Sequence, residues 1–291
     1  MFNLYEDSLT ANYRRLECDG LLFVEYQCLS DSREIYDLWS PYAHLVYVTS
    51  GNKTWITPDG EFPASPGDAV YCKKGACIMR NSYETDFCAL IFFFPKDFIR
   101  EVVLEYQVNL KNNESEEQNN FQILRMNVDA NLRLFFESVS TYFLQNAVPS
   151  KHLLKLKFKE LLLQILTTNY NPLLKAYFLS TLSETRENIE SVMRKNLLFN
   201  LSMEAYARLC NRSLSSFKRD FKKAFGIPPL QWIMEERLKY ARSRLLATEE
   251  HINDIAFYSG FESTPHFIRC FKKHFGLPPL QFRLQSEKSE N

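Results

Sequence analysis

No stretch of this chain is apolar for long enough to cross a bilayer. The longest run, Phe87 to Pro95, falls far short of the roughly 20 residues a spanning helix needs. The first residues, MFNLYEDSLTANYRR, lack the apolar region of a secretory signal, so no export and no membrane contact is expected, and the expected setting is the cytoplasm. Net charge is absent as well: 35 Lys and Arg balance 35 Asp and Glu, which would argue against nucleic acid if the charge were spread evenly. The seven cysteines (Cys18, Cys28, Cys72, Cys77, Cys88, Cys210 and Cys270) include no CxxC pair and meet no matching histidine cluster. They read as reduced, mostly buried thiols, and no metal or cofactor is expected.

What is present is enough apolar material for packed cores. With 291 residues, 45% hydrophobic and 14% aromatic, the chain has room for about two domains. The charge is also uneven. From Glu184 onward 18 Lys and Arg face 13 Asp and Glu, leaving 17 against 22 before it. The rear segment is therefore basic by about five charges and the front acidic by as many, which marks the rear as the nucleic-acid candidate.

Within the rear segment one pattern occurs twice. Phe217 to Trp232 reads FKRDFKKAFGIPPLQW, and fifty residues later Phe267 to Phe282 reads FIRCFKKHFGLPPLQF. Phenylalanines at every fourth position (Phe217, Phe221, Phe225; Phe267, Phe271, Phe275) fall on one helix face, and Arg219, Lys222, Lys223 and Arg269, Lys272, Lys273 on another. Gly226 and Gly276 end each helix in a left-handed cap, and Pro228, Pro229, Pro278 and Pro279 block continuation and open the next helix. Shorter helical stretches precede each basic helix, Ser202 to Leu209 and Asn253 to Tyr258, both beginning with residues that cap N-termini. Helix, short turn and basic second helix is the helix-turn-helix order, in which the second helix enters the major groove.

Ile255, Ala256, Gly260, Phe261, Ser263, His266, Phe267, Phe271, Lys272, Lys273, Gly276, Pro278 and Arg283 resemble the C-terminal signature of AraC/XylS-type transcription regulators. The first repeat resembles the more variable first helix-turn-helix of that family, and the two together cover about Glu184 to Gln285. The resemblance implies a DNA-binding regulator, more commonly an activator that contacts RNA polymerase, and not an enzyme.

The front segment reads as β structure. Leu21 to Cys28, His44 to Thr49, Lys53 to Thr57, Ala69 to Cys72, Ala76 to Arg80 and Phe87 to Phe94 are short β-branched or aromatic runs separated by turn signals such as Ser50-Gly51 and Pro66-Gly67-Asp68. HLVYVTSGNKTW and FPASPGDAVYCKKGA are similar to the cupin-like jelly roll at the front of many members of the same family. Enzymatic cupins hold a metal through several histidines and a carboxylate, whereas this stretch holds His44 alone. The competing reading, a metal-free cupin isomerase, is disfavoured by the double basic repeat.

Lys96 to Tyr106 reads as a helix, Lys111 to Asn120 as a polar connector, and Asp129 to Gln145 and Ser150 to Thr168 as amphipathic helices joined by Asn146 to Pro149. Leucines on more than one face of the last helix suggest a second partner, and in this family such helices commonly form the dimer contact. Gln231 to Ala247 reads as a helix tying the two repeats together. The expected architecture is a two-domain α+β protein: a cupin-like β jelly roll with a helical dimerisation hairpin, then an all-α domain with two helix-turn-helix units on a long helix. Its expected limits are 1–108 for the β domain, 109–169 for the linker and hairpin, 170–183 for an interdomain linker, 184–285 for DNA binding and 286–291 for a tail.

Side chains near the start of each second helix should meet base edges, and cations farther along should meet phosphates of double-stranded DNA. The base candidates are Ser215, Lys218 and Arg219 in the first copy and Thr264, Pro265, Ile268 and Arg269 in the second. Arg212, Lys222, Lys223, His266, Lys272 and Lys273 are the phosphate candidates. For the front domain two effectors stay open. A small molecule would sit among Trp39, Tyr42, His44, Tyr47, Trp55, Tyr71 and Arg80. Alternatively, Tyr47 to Pro95 is similar to family members that activate secretion genes and are held by a protein antagonist.

Overall fold

The strand Phe87–Phe93 carries no charged side chain, and its two faces explain why. In a computed structural model that describes residues 2–28, 35–57, 59–81, 86–107, 121–144, 148–181 and 188–290, the last five in backbone only, this strand is central in a sheet covered on both sides. The chain forms two compact units, Met1–Thr185 and Arg186–Asn291. The first is β-rich and the second helical, an α+β arrangement.

The first unit runs β1 (Phe2–Asn3), α1 (Leu4–Thr10), β2 (Arg14–Cys18), β3 (Leu21–Cys28), β4 (Ile35–Ser40), β5 (His44–Ser50), β6 (Lys53–Thr57), β7 (Gly60–Ala64), β8 (Ala69–Cys72), β9 (Gly75–Asn81), β10 (Phe87–Phe93), α2 (Lys96–Glu105), β11 (Ile123–Met126), α3 (Ala130–Leu144), α4 (Lys151–Thr167) and α5 (Pro172–Ser180). One sheet has the order β1-β4-β9-β6-β7 and the other β11-β8-β5-β10-β3-β2. Alternate residues of the second sheet serve two cores. Val24, Val46, Val70, Phe87, Ile91 and Phe93 pack with Leu38, Trp55, Cys77 and Met79 of the first sheet. Phe23, Leu45, Tyr71, Leu90 and Phe92 pack with Phe98, Phe136, Phe158, Leu162 and Phe178 of the four following helices. Burial on both faces removes the apolar-polar alternation that a half-exposed strand would show.

All six strands expected from the sequence are present. β1, β2, β4, β7, β11 and helix α1 lie outside those expected runs. The expected linker at 170–183 also needs correction. Residues 172–180 are helix α5, whose Leu174 and Phe178 are fully buried in the helix-covered core, so this stretch is held by packing. The polar connector Lys111 to Asn120 lies outside the described residues, as do 145–147 of the expected helix junction. None of the seven cysteines forms a disulfide among the described residues; four are buried, and Cys28, Cys88 and Cys270 are partly so. No helix among the described residues is long and apolar enough to cross a membrane.

The second unit contains α6 (Ile189–Asn196), α7 (Met203–Leu209), α8 (Leu214–Phe225), α9 (Pro229–Ala247), α10 (Ile252–Tyr258), α11 (Thr264–Phe275) and α12 (Pro279–Glu290). Helix α9 serves both repeats. Trp232 near its start packs on Phe221 and Phe225 of α8, and Leu238, Ala241 and Leu245 farther along join Ile255, Phe267 and Phe271 in one cluster. Burying each fully enclosed phenylalanine contributes on the order of 2–3 kcal/mol.

Candidate nucleic-acid interface

The two helical pairs are built alike. After α7 the chain turns at Asn211, φ +54°, and after α10 at Gly260, φ +80°. Each turn closes with matching hydrogen bonds: Arg212 N donates to Ala207 O (2.9 Å) and Phe261 N to Ala256 O (3.0 Å), which satisfies carbonyls left open at the helix end. The second helices then run twelve residues each. Phe217 and Phe221, like Phe267 and Phe271, are fully buried, while Lys218, Arg219, Lys222, Lys223, Arg269, Lys272 and Lys273 are exposed. Gly226 (φ +75°) and Gly276 (φ +84°) end them in the left-handed conformation, their N–H groups donating to Lys222 O (2.9 Å) and Lys272 O (2.8 Å).

The copies differ where α8 and α11 begin. Ser213 caps α8, its hydroxyl accepting from Ser216 N at 3.3 Å. Ser263 caps α11 in backbone only, with Pro265 in the first turn. Asn253 does not cap α10. That helix starts one residue earlier after His251, which makes no side-chain capping bond.

Among the base candidates, Ser215, Pro265 and Arg269 are exposed and Thr264 is half-buried. Ile268 is partly buried and packs against the second repeat's core, because its place in the helix turns it toward that cluster. Arg219 is well exposed yet tethered, with Nε 3.3 Å from Asp220 Oδ1 and Nη2 3.3 Å from Ser216 Oγ. Arg269 makes no hydrogen bond or ion pair among the described residues.

Among the phosphate candidates His266 is exposed, with its ring near Phe261. Arg212 departs from its expected place on the outside. Its side chain is largely buried, Nε pairing with Asp220 Oδ2 at 3.4 Å and Nη1 donating to Cys210 O at 2.9 Å, so it holds the turn together. Desolvation raises the Asp220 carboxyl, and hydrogen bonds from Arg219, Ser216 and Arg212 outweigh it, holding the group below the usual carboxylate range.

With this geometry described, two family matches account for most of the chain: residues 43–177 match the ExsA N-terminal regulatory domain and residues 206–285 a helix-turn-helix domain. The chain is 25% identical over 228 residues to the virulence regulon transcriptional activator VirF of Yersinia enterocolitica, covering 77% of this chain and 82% of that protein. The thermoregulatory protein LcrF of Yersinia pestis matches to the same extent. The HTH-type transcriptional regulator ExsA of Pseudomonas aeruginosa is 31% identical over 112 residues, 38% of this chain and 40% of that protein. This chain belongs to the AraC/XylS family of transcriptional regulators.

In this AraC-type regulator the second unit is the DNA-binding half, and the chain is not an enzyme. The first unit's expected effector residues do not gather in one place. Tyr47 stacks on Phe136 (4.1 Å) and Tyr71 is buried against Phe178, both on the helix-covered face. Trp39 neighbours Leu38 on β4 and so takes the opposite face. Tyr42 is exposed against Tyr5, and Arg80 forks onto Glu61 with two contacts of 3.1 Å. His44 and Trp55 line a common space, a cavity of about 20 Å³ between the sheets, room for about one water molecule.

A buried cation, Lys53, also faces that cavity. Lys53 is 3% exposed and lines the cavity; its ammonium donates to Tyr36 Oη at 3.0 Å and lies 4.2 Å from the Phe87 ring centre. Burial lowers its pKa to about 8, and burial likewise lowers His44 to about 4. His44 Nδ1 lies 3.2 Å from Tyr42 O, and its buried Nε2 has no hydrogen-bond partner. The signal for Lys53 was present in the sequence: strand alternation puts it in phase with Trp55 and Thr57, on the inward face.

Proposed function

We propose that the chain is a transcriptional activator that reads its operator with α8 and α11. The carrying observation is the repeated helix that buries two phenylalanines completely (Phe217 and Phe221; Phe267 and Phe271) while its cationic face is open, with Arg219 and Arg269 at equivalent positions of the two copies. Ser215, Lys218 and Arg219 meet bases in the first groove. In the second, Arg269 is the hydrogen-bonding reader, and Thr264 and Pro265 contact the groove floor; Ile268 supports the helix from its core side. Lys222, Lys223, Lys272, Lys273 and His266 meet phosphates, and Arg212 shapes the first turn instead.

The front unit, which we take as a cupin-like jelly roll, controls this activity from the cytoplasm, and activation proceeds through contact with RNA polymerase. The expected lining residues lie on different faces instead of around one space, which supports control by a protein partner over a small molecule held among them. Leu134, Leu144, Leu153 and Leu156, exposed on α3 and α4, form the contact through which two copies dimerise.

Capture of fragmented genomic DNA by the full chain at physiological salt tests the DNA reading, beside Arg219→Ala/Arg269→Ala. Discrete sites that vanish in the double variant support it. Uniform recovery, or the same sites from both proteins, would leave only electrostatic binding and refute base reading by these two residues.

A further inference from the structure

A shared helix does not by itself hold two DNA-reading units at one separation, since the loops on either side can pivot about it. Midway along α9 a single side chain closes that freedom. Arg237 Nε donates to Leu197 O at 2.8 Å, Nη2 to Phe199 O at 2.8 Å and Nη1 to Asn200 Oδ1 at 2.9 Å, all in the loop between α6 and α7 that leads into the first helix-turn-helix. Nη1 also donates to Gly260 O at 2.6 Å, in the turn between α10 and α11 of the second. One guanidinium thus stitches the loop leading into the first helix-turn-helix to the turn of the second helix-turn-helix.

The stitch is closely fitted from the other side. A Cβ on Gly260 would lie 2.7 Å from Leu198 O and 2.9 Å from Arg237 Cζ and Nε, and the residue's φ of +80° disfavours any side chain. The turn of the second helix-turn-helix therefore rests directly on the loop that leads into the first. Three buried elements anchor that loop: Phe199 and Leu201 are 5% and 8% exposed, and Tyr206, fully buried on α7, donates its hydroxyl to Asn196 O at 2.8 Å. Only arginine has the chemistry for this place. Its planar fork offers five donors in fixed directions, whereas a lysine ammonium presents three on a flexible stem and cannot reach four acceptors spread across two units.

We propose that Arg237 is a positioning residue that locks α8 and α11 at a fixed separation, so that the two readers engage one operator as a single rigid body. The proposal rests on both copies binding DNA. Two tethered binders gain from each other only when the tie presents the second in the right place. A preset geometry raises the affinity for a two-part site well above that for either half, and a loosened one forfeits most of that gain. Arg237 touches no base or phosphate in this scheme. Its effect is on spacing.

The test uses the full chain as wild type, Arg237→Gln, Arg237→Lys and Gly260→Ala, the last attacking the joint without altering the arginine. Spin labels introduced through unnatural amino acids at the exposed, equivalent positions Ala224 and His274 report the distance between the ends of α8 and α11 in the absence of DNA. The wild type should give one narrow distribution, and Arg237→Gln and Gly260→Ala broader or shifted ones, with Arg237→Lys failing to restore it. A distribution as narrow and as centred in Arg237→Gln as in wild type overturns the proposal.

The second readout uses the tightest duplex recovered by genomic capture, the same duplex with one or two base pairs inserted between its protected halves, and each half alone. Wild type should lose about tenfold or more in affinity on insertion. Arg237→Gln should bind the intact duplex at least tenfold more weakly and respond little to insertion, while binding each half as wild type does. Equal losses on half and whole duplexes would mean general damage to the fold and would reject a positioning role. A wild-type footprint confined to one half would overturn the two-copy reading of DNA instead, and the distance distribution would still decide whether Arg237 sets the separation.

Discussion

The front unit encloses Lys53 and His44 between two sheets, whereas the rear unit holds Lys218, Lys222, Lys223, Lys272 and Lys273 in solvent along two helices. The same kind of side chain does opposite work in the two places. Buried, it is neutralised or caged, as the lowered pKa values of His44 and Lys53 record. Exposed on a helix whose other face is packed, it remains a free charge with a fixed direction, which is what phosphate recognition requires. A finer contrast lies within the rear unit, where Arg219 is tethered to Asp220 and Ser216 and its counterpart Arg269 is not. Repetition of sequence has preserved the scaffold and varied the presentation.

The largest effect should come from removing the shared scaffold. Phe221→Ala and Phe271→Ala should each cost about 3–5 kcal/mol in denaturant unfolding. Near-equal losses confirm that both copies rest on the same packing, and a loss below about 1 kcal/mol in either breaks the equivalence.

Acid should separate the front unit from the rear. The folded pKa of His44, about 4, lies below its ordinary 6.5, so the folded state resists the proton that the unfolded chain accepts. The stability this confers is complete above about pH 6.5 and is lost as pH falls toward 4, with about 2 kcal/mol gone by pH 5. The rear histidines His251, His266 and His274 are all exposed. Unfolding measured between pH 7 and 5 should therefore slope less steeply in His44→Leu, and identical slopes would remove His44 as the cause.

Base reading comes next. Arg219→Ala and Arg269→Ala should each cost about 1–3 kcal/mol on a recovered operator at fixed salt. Since Arg269 has no partner among the described residues to leave behind, its replacement should spare stability while lowering affinity. Operator titrations that show no change in either variant would end the assignment. The smallest effect discriminates the copies most finely. Ser213→Ala removes a capping bond and should cost about 1 kcal/mol of stability, whereas Ser263→Ala removes none and should be close to silent. Equal costs in thermal unfolding would show that the two helix starts are equivalent after all.

Much of this was legible in the chain. The fourfold phenylalanine spacing, Gly226 and Gly276 at the helix ends and the Pro-Pro restarts are local codes that locate α8, α9, α11 and the start of α12, while α12 itself runs to Glu290, through most of the stretch expected as a tail. The β runs were equally clear where β-branched and aromatic residues cluster, as in β3, β6 and β8. Less clear were β2 and β4, whose RRLEC and IYDLWS mix charge with apolar residues because each is only partly covered. Helix α5 reads as linker in the sequence because it is short and its neighbours are polar, and Leu174 and Phe178 reveal their role only through the core they enter.

By itself the sequence determined the periodicities, caps and breaks, and hence two basic helices with apolar backs behind a β-rich front, because these depend on neighbours within one or two turns of chain. Tertiary structure decided which charges remain available. Arg212 and Arg237 read in the sequence as two more cations beside Lys222 and Arg269. The turn between α7 and α8 brings Cys210 O and Asp220 around the first, and only the folding of distant segments places Leu197 O, Phe199 O and Gly260 O around the second. A side chain's charge is set by its chemistry, but its use depends on which acceptors the fold brings within about 3 Å.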